Sequence, residues 1–379
     1  MLVYIMTFCS SLLLFLVFAG GSRTKLYNGE NTSYKRLVIS KFDLAVFVSA
    51  LPPMIISAIR YHVGTDYLET YYTGFYRILE GSVIDGFELG FFALNKAIQL
   101  FSDNVFWLFI ITSFLFVGFV YKAIGALSVD VPLSIILFLV TRYYFIGMNG
   151  IRQFIGLAFL TYSLKFIFEN NLKKFLIFVF VACMFHHTCI CFTPIYFFSK
   201  FRLNIKRIIV VVLGELVLFT IAFPIFLYVL EGTKYGALIS KFDLPGIKFT
   251  IFTIVLNIIL FIIGYIGKKQ KYDIRINASL NIQFLALLSS LALQTIPLIE
   301  RVYWIFSFPI IITFPYLIKE IKSKDIRIAI KWGVVFIFTI YMLYDICILG
   351  DHEVLPYQTI IEKTPSHYSG WEWYGGFFK

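Results

Sequence analysis

Two adjacent histidines, His186 and His187, a few arginines and a scatter of carboxylates are the residues of this chain equipped for chemistry. A histidine accepts and returns a proton near neutral pH. An arginine grips an oxyanion such as a phosphate with a planar fork of donors. Arg152 has the best setting. In Gly147-Met148-Asn149-Gly150-Ile151-Arg152-Gln153, Asn149 is expected to cap a helix, with Arg152 and Gln153 in its first turn. Free N–H groups, the helix dipole and a guanidinium would then meet at one point, which suits an anion. Arg142 lies near the same end, where its alternative is an arginine that snorkels to the interface. Arg301 opens a further helix beside Glu300 and Tyr303, with pairing to Glu300 as its structural reading. Arg60 begins a stretch that also carries Asp66, and Glu88 follows. Either carboxylate is an alternative proton acceptor to His186, or a solvated surface group. A metal site built from His186, His187, Cys189 and Cys191 is not expected, because their crowded spacing matches no ligand set.

The elements that must position these residues are membrane helices. The 379 residues are 59% hydrophobic and 15% charged, with a mean hydropathy of +0.83. Soluble domains run nearer half apolar and a quarter charged. Disordered chains, soluble secreted domains and disulfide scaffolds are excluded. The net charge of +11 falls in short clusters between apolar runs, where it sets topology rather than binding nucleic acid. The five cysteines form no CxxC pair. Eleven runs approach the roughly 20 residues a bilayer needs: 2–20, 42–59, 104–121, 130–147, 153–168, 175–197, 208–230, 249–267, 279–299, 302–318 and 332–349. The first lacks a basic flank and reads as a retained span rather than a cleaved signal.

Charge decides how the runs are threaded. If all eleven cross, the basic residues fall on the wrong side. If run 175–197 enters and leaves on one side, 22 of the 33 Lys and Arg residues lie inside, as the positive-inside rule requires. The expectation is therefore one all-α polytopic bundle over 1–379, with about ten spans, a re-entrant segment bearing His186 near its tip, and both termini outside. A single kinked span is the alternative for 175–197. The 60–103 loop and the 350–379 tail then lie on the extracytoplasmic side. Phe87–Leu100 reads as an amphipathic helix in the interface, with Phe87, Phe91, Leu94 and Ile98 on one face and Glu88, Asn95 and Gln99 on the other.

Four stretches together resemble the EpsG family of bacterial exopolysaccharide proteins, within the Wzy-type repeat-unit polymerases. They are Arg60…Gly64-Thr65-Asp66-Tyr67 followed by Tyr71, Tyr72 and Phe75; Glu88-Leu89-Gly90-Phe91-Phe92-Ala93-Leu94-Asn95; Asn149-Gly150-Ile151-Arg152-Gln153 with Ser163; and Phe185-His186-His187-Thr188. Weaker similarity lies in Arg301-Val302-Tyr303-Trp304-Ile305-Phe306 and Leu355-Pro356-Tyr357. The second histidine departs from the family pattern and could replace the first. The resemblance implies a glycosyl transfer outside the bacterial cytoplasmic membrane, from a growing glycan on undecaprenyl diphosphate to one lipid-linked repeat unit. Its partners would be those two lipid-linked glycans, membrane lipid and polysaccharide assembly proteins. Arg152 and Arg301 would stabilise the leaving diphosphate, with Arg60, Asn149, Gln153 and Arg142 in support. His186, or else Asp66 or Glu88, would take the acceptor proton. No cofactor is expected, the arginines standing in for a metal. A ligase is the near alternative; a flippase or a scaffold is the alternative of another class. A flippase usually carries two related halves, and no duplication is visible here.

Overall fold

The structure, a computed structural model, describes residues 1–20, 41–84, 86–218, 246–267, 272–295 and 299–360, with isolated positions between 219 and 245. Apolar sequence folds as helix in a bilayer because no water is present to satisfy a bare backbone. The long helices are α1 (Leu2–Ala19) and α2 (Lys41–Ala58), followed by the short α3 (Thr73–Leu79) and α4 (Leu89–Gln99). Then come α5 (Phe106–Leu127), α6 (Val131–Val140), α7 (Tyr143–Asn149), α8 (Ile151–Phe168), α9 (Leu172–Phe185), α10 (Ile195–Phe198) and α11 (Ile205–Val217). The set closes with α12 (Ile247–Gly267), α13 (Ile274–Leu291), α14 (Ile299–Ser307), α15 (Ile310–Lys319) and α16 (Lys324–Leu343). Among the described residues seven helices are long and apolar enough to cross a membrane, and two bent pairs raise the number to nine. The expected run 208–230 is described only in its first part, as α11, and the rest of it lies outside the described residues.

The two bent spans were not visible in the hydropathy. α6 and α7 meet at 54°, and α14 and α15 at 46°. The first break sits at Arg142, whose φ of 70° starts α7 from the left-handed region. The second falls at Phe308-Pro309, where the proline lacks the donor a continuous helix needs.

Run 175–197 is a hairpin. α9 stops at Phe185, the backbone is extended at His186, and a 3-10 turn (His187–Phe192) leads into α10. The feet of the hairpin meet: Tyr196 Oη and Lys200 Nζ both donate to Asn170 Oδ1, at 3.2 and 2.9 Å. The Phe175 and Tyr196 rings pack 5.3 Å apart. Asn277 Nδ2 on α13 donates to the Phe201 carbonyl at 2.8 Å and secures the return leg. The segment thus begins and ends at one end of the bundle, as charge sorting required.

That end is rich in lysine and arginine, and its helices start with side-chain caps. Asp130, Asn171, Asn204, Asp273 and Ser323 each accept from a first-turn N–H. The opposite end is held by a strap from the tail. Tyr4 Oη donates to the Val354 carbonyl at 2.9 Å, Tyr61 N to Gln358 O at 2.9 Å, Gly64 N to Glu353 O at 3.1 Å, and Ile360 N to Ile59 O at 3.0 Å. Residues 361–379 of the tail lie outside the described residues.

One expectation needs correction. α4 forms, but Glu88 and Asn95 do not face water. Its buried stripe is Phe91, Asn95 and Ile98, with Glu88 just ahead of it. Gln99 Nε2 donates to Phe75 O and Lys96 Nζ to Ile78 O, which ties α4 to α3. The Asn95 and Gln99 amide nitrogens and the Lys96 ammonium all donate to backbone carbonyls, so the helix turned a mixed face inward.

Candidate active site

The strap end of the bundle is where the chemistry-bearing residues meet. Glu88 is their centre. It is 4% exposed and ends its loop in extended backbone as the residue before α4. A Cβ on Gly90 would lie 2.7 Å from the Met184 carbonyl, so only glycine lets the start of α4 seat this closely on the end of α9. That contact brings Glu88 to His186. Glu88 Oε1 accepts from His186 Nδ1 at 2.8 Å, and His187 Nδ1 stands 3.3 Å from the same oxygen. Glu88 Oε2 is 2.5 Å from Arg152 Nη1. The same nitrogen donates to the Gly86 carbonyl, the Phe87 ring lies 4.9 Å from the guanidinium carbon, and the buried Tyr71 hydroxyl is within electrostatic reach of Arg152.

Burial opposes the charge on Glu88, but the hydrogen bond from His186 and the Arg152 guanidinium outweigh it and hold the carboxyl down at about 2. Glu88 is therefore an anion at every working pH. Because the Glu88 carboxylate accepts at Nδ1, that nitrogen carries a proton, and in the neutral ring the lone pair is on Nε2. His186 is 8% exposed and its Nε2 has no hydrogen-bond partner. His187, by contrast, has a side chain 81% exposed.

Asp66 is half-buried within electrostatic reach of Arg152 and Arg301. Burial raises its carboxyl above the ordinary value, and the two arginines pull it part of the way back. Arg301, in the first turn of α14, is exposed; among the described residues no hydrogen bond or ion pair engages its guanidinium. Gln153 Nε2 donates to the Arg301 carbonyl at 2.7 Å, which joins the starts of α8 and α14.

The model of the EpsG family matches residues 43–359. The chain belongs to the EpsG family. This is a family of Wzy-type polysaccharide polymerase-like membrane proteins. No curated protein and no solved structure matches the chain significantly. The EpsG match spans every residue of the Glu88 cluster and ends at residue 359, one short of the strap's last hydrogen bond at Ile360.

Within this EpsG-family chain, not every expected site residue joins the cluster. Asn149 does not cap α8; Gly150 stands at the cap, with no side-chain bond. Asn149 instead accepts from Thr65 Oγ1 and Asp66 N, both at 2.8 Å, and its Nδ2 donates to His352 Nδ1 at 3.4 Å. It pins the Asp66 turn to the tail strap and leaves the first N–H groups of α8 uncapped. Arg60 is 1% exposed. It donates to Ser57 O and to Met148 O at 3.1 Å, and lies over the Phe109 ring at 5.0 Å. Its donors face backbone carbonyls, so it braces the loop rather than facing the cluster. Arg142 is likewise buried. It pairs with Asp345 from the π-helical turn Tyr344–Leu349 and lies 4.2 Å from the Tyr341 ring. Among the described residues no group of three or more His, Cys, Asp or Glu side chains is placed to hold a metal ion. Cys189 is buried instead against Gly156, where an added Cβ would meet its Sγ at 2.6 Å.

Sequence reasoning passed over Asp345 and His352. Asp345 carried a signal, as a lone acid inside the apolar run 332–349. His352 carried none, because its role depends on a chain reversal from the far end of the molecule.

Proposed function

We propose that the protein is a polymerase that joins undecaprenyl-diphosphate-linked oligosaccharide repeat units on the extracytoplasmic face of the bacterial cytoplasmic membrane. The observation that carries this reading is Glu88, which ties His186 to Arg152 through its two oxygens, a pairing that suits a base beside a phosphate-binding group. Support for the face comes from the positive-inside rule, under which the basic end of the bundle would lie in the cytoplasm and the cluster outside.

In the proposed reaction the acceptor hydroxyl oxygen attacks the anomeric carbon of the donor glycan. The bond from that carbon to the diphosphate oxygen breaks, and its electron pair leaves with the diphosphate. The hydroxyl proton passes to His186 Nε2. Glu88 fixes the tautomer and steadies the imidazolium that forms. Arg152 and Arg301 stabilise the charge that grows on the leaving diphosphate. Glu88 is thus a positioning residue in this scheme and not the base.

The test is deletion followed by analysis of lipid-linked glycan. A polymerase predicts accumulation of single repeat units on lipid, restored to a ladder by the wild-type chain. Normal ladders in the deletion strain would remove the reading. A loss confined to the transfer of finished polymer would mark a ligase instead.

A further inference from the structure

We propose that Glu88 is a resident counter-anion that expels the diphosphate product, holding Arg152 in the empty site and reclaiming it after each transfer. The inference rests on the polymerase reading of the site. Its starting point is a charge difference between substrate and product. The donor diphosphate carries substituents at both ends. Once the glycan has left, one terminal phosphate gains a further ionisable oxygen, with a second ionisation near pH 6. Bare arginines would therefore grip the product more tightly than the donor and stall the next round.

The site has a built-in competitor. Glu88 cannot swing away, because Gly90 is wedged on the Met184 carbonyl and the carboxylate is buried. Its second oxygen, Oε1, is held by His186 at 2.8 Å. Oε2 faces Arg152 Nη1 at 2.5 Å, the Gly86 carbonyl accepts from the same nitrogen, and the Phe87 ring lies 4.9 Å from the guanidinium carbon. Arg152 Nη1 thus sits in a socket made of two protein acceptors, the Glu88 carboxylate and the Gly86 carbonyl. A diphosphate must share it with Glu88 and gains most from it while charge peaks on the leaving oxygen. Arg301 has no such partner among the described residues. The two arginines differ in this respect: Arg301 draws the anion in, and Arg152 is lent to it.

The experiment is equilibrium binding of farnesyl diphosphate to the purified full-length protein, read by tryptophan fluorescence. Trp304 lies one turn beyond Arg301 on α14, 5.7 Å from the Phe154 ring, and serves as reporter. Glu88→Gln is expected to bind the diphosphate about tenfold more tightly than wild type, a shift of one decade in Kd. Glu88→Ala must tighten binding likewise, each variant eluting as a monodisperse species. His186→Asn loses the base but keeps the pairing, so its affinity stays within about twofold of wild type. Asp66→Asn removes a nearby charge that does not occupy the socket, and its effect must be smaller than that of Glu88→Gln. Unchanged or weaker binding in both Glu88 variants would overturn the proposal, as would equal tightening in Asp66→Asn. Absence of binding in every variant and in wild type would remove the polymerase reading, and this inference with it.

Discussion

At the scale of single residues, the two histidines separate cleanly. Both reach the same oxygen of Glu88, but only His186 is buried with a free Nε2. His186→Ala should lower chain growth by about 10²–10⁴-fold, the usual contribution of a general base, and His187→Ala by no more than a few-fold; glycan ladder length reads both. Equal losses would mean that the pair works as one unit. Arg152→Lys keeps the charge but loses the fork that serves Glu88 and a phosphate together. A rate loss of about 10–10³-fold is expected, and full activity would exclude Arg152 from the diphosphate site. The identities of these residues were legible in the sequence, because arginine and histidine at membrane depth are costly without a use. Their partners were not. Nothing in the spacing of Glu88 and His186 says that α4 docks on the end of α9. The docking depends on the Gly90–Met184 approach, a contact between segments far apart in the chain.

At the scale of elements, breaks in helices matter more than the helices. Hydropathy located the apolar runs and loop charge located the hairpin, because both signals are local and additive. The bends at Arg142 and Phe308-Pro309 went unseen, since a bent span is as apolar as a straight one. The Arg142 bend is closed by a buried ion pair with Asp345. Asp345→Leu leaves a buried guanidinium with only the more distant Asp351 carboxylate, at 3.9 Å, and should cost about 3 kcal/mol, measured by thermal unfolding in detergent; Arg142→Met with Asp345→Leu should recover most of that. A double variant as unstable as the single one would show that the pair is not the clasp. The tail strap carries its own titration. Burial and the Arg142 charge hold the His352 ring down at about 4, against the opposing pull of Asp345. The folded value lies below the ordinary 6.5, so the unfolded chain takes up the proton first as pH falls. The stability His352 contributes is complete above 6.5 and is lost as pH drops towards 4. Unfolding temperatures at a series of pH values should fall less steeply for His352→Gln than for wild type, and identical slopes would place the acid sensitivity elsewhere.

At the scale of the whole molecule, the bundle has one basic end and one end with mixed charge, and the hairpin keeps them distinct. Single cysteines placed across Lys200–Arg207 should label only from the cytoplasmic side, because both feet of the hairpin stand at the basic end. Labelling from outside would reverse the orientation and move the cluster to the wrong face for a lipid-linked glycan. The strap gives this architecture an order in time. Tyr4 bonds to a carbonyl 350 residues away, and the turn bearing Asp66 is fixed from one side by Asn149, which His352 holds in turn, and from the other by the Glu353 carbonyl. During synthesis the early helices can enter the bilayer and pack, yet the turn stays unfastened until residues 350–360 have emerged. A ribosome-bound or truncated chain would therefore be inserted without its Asp66 turn fastened, and the membrane would hold no half-made chain with an assembled site.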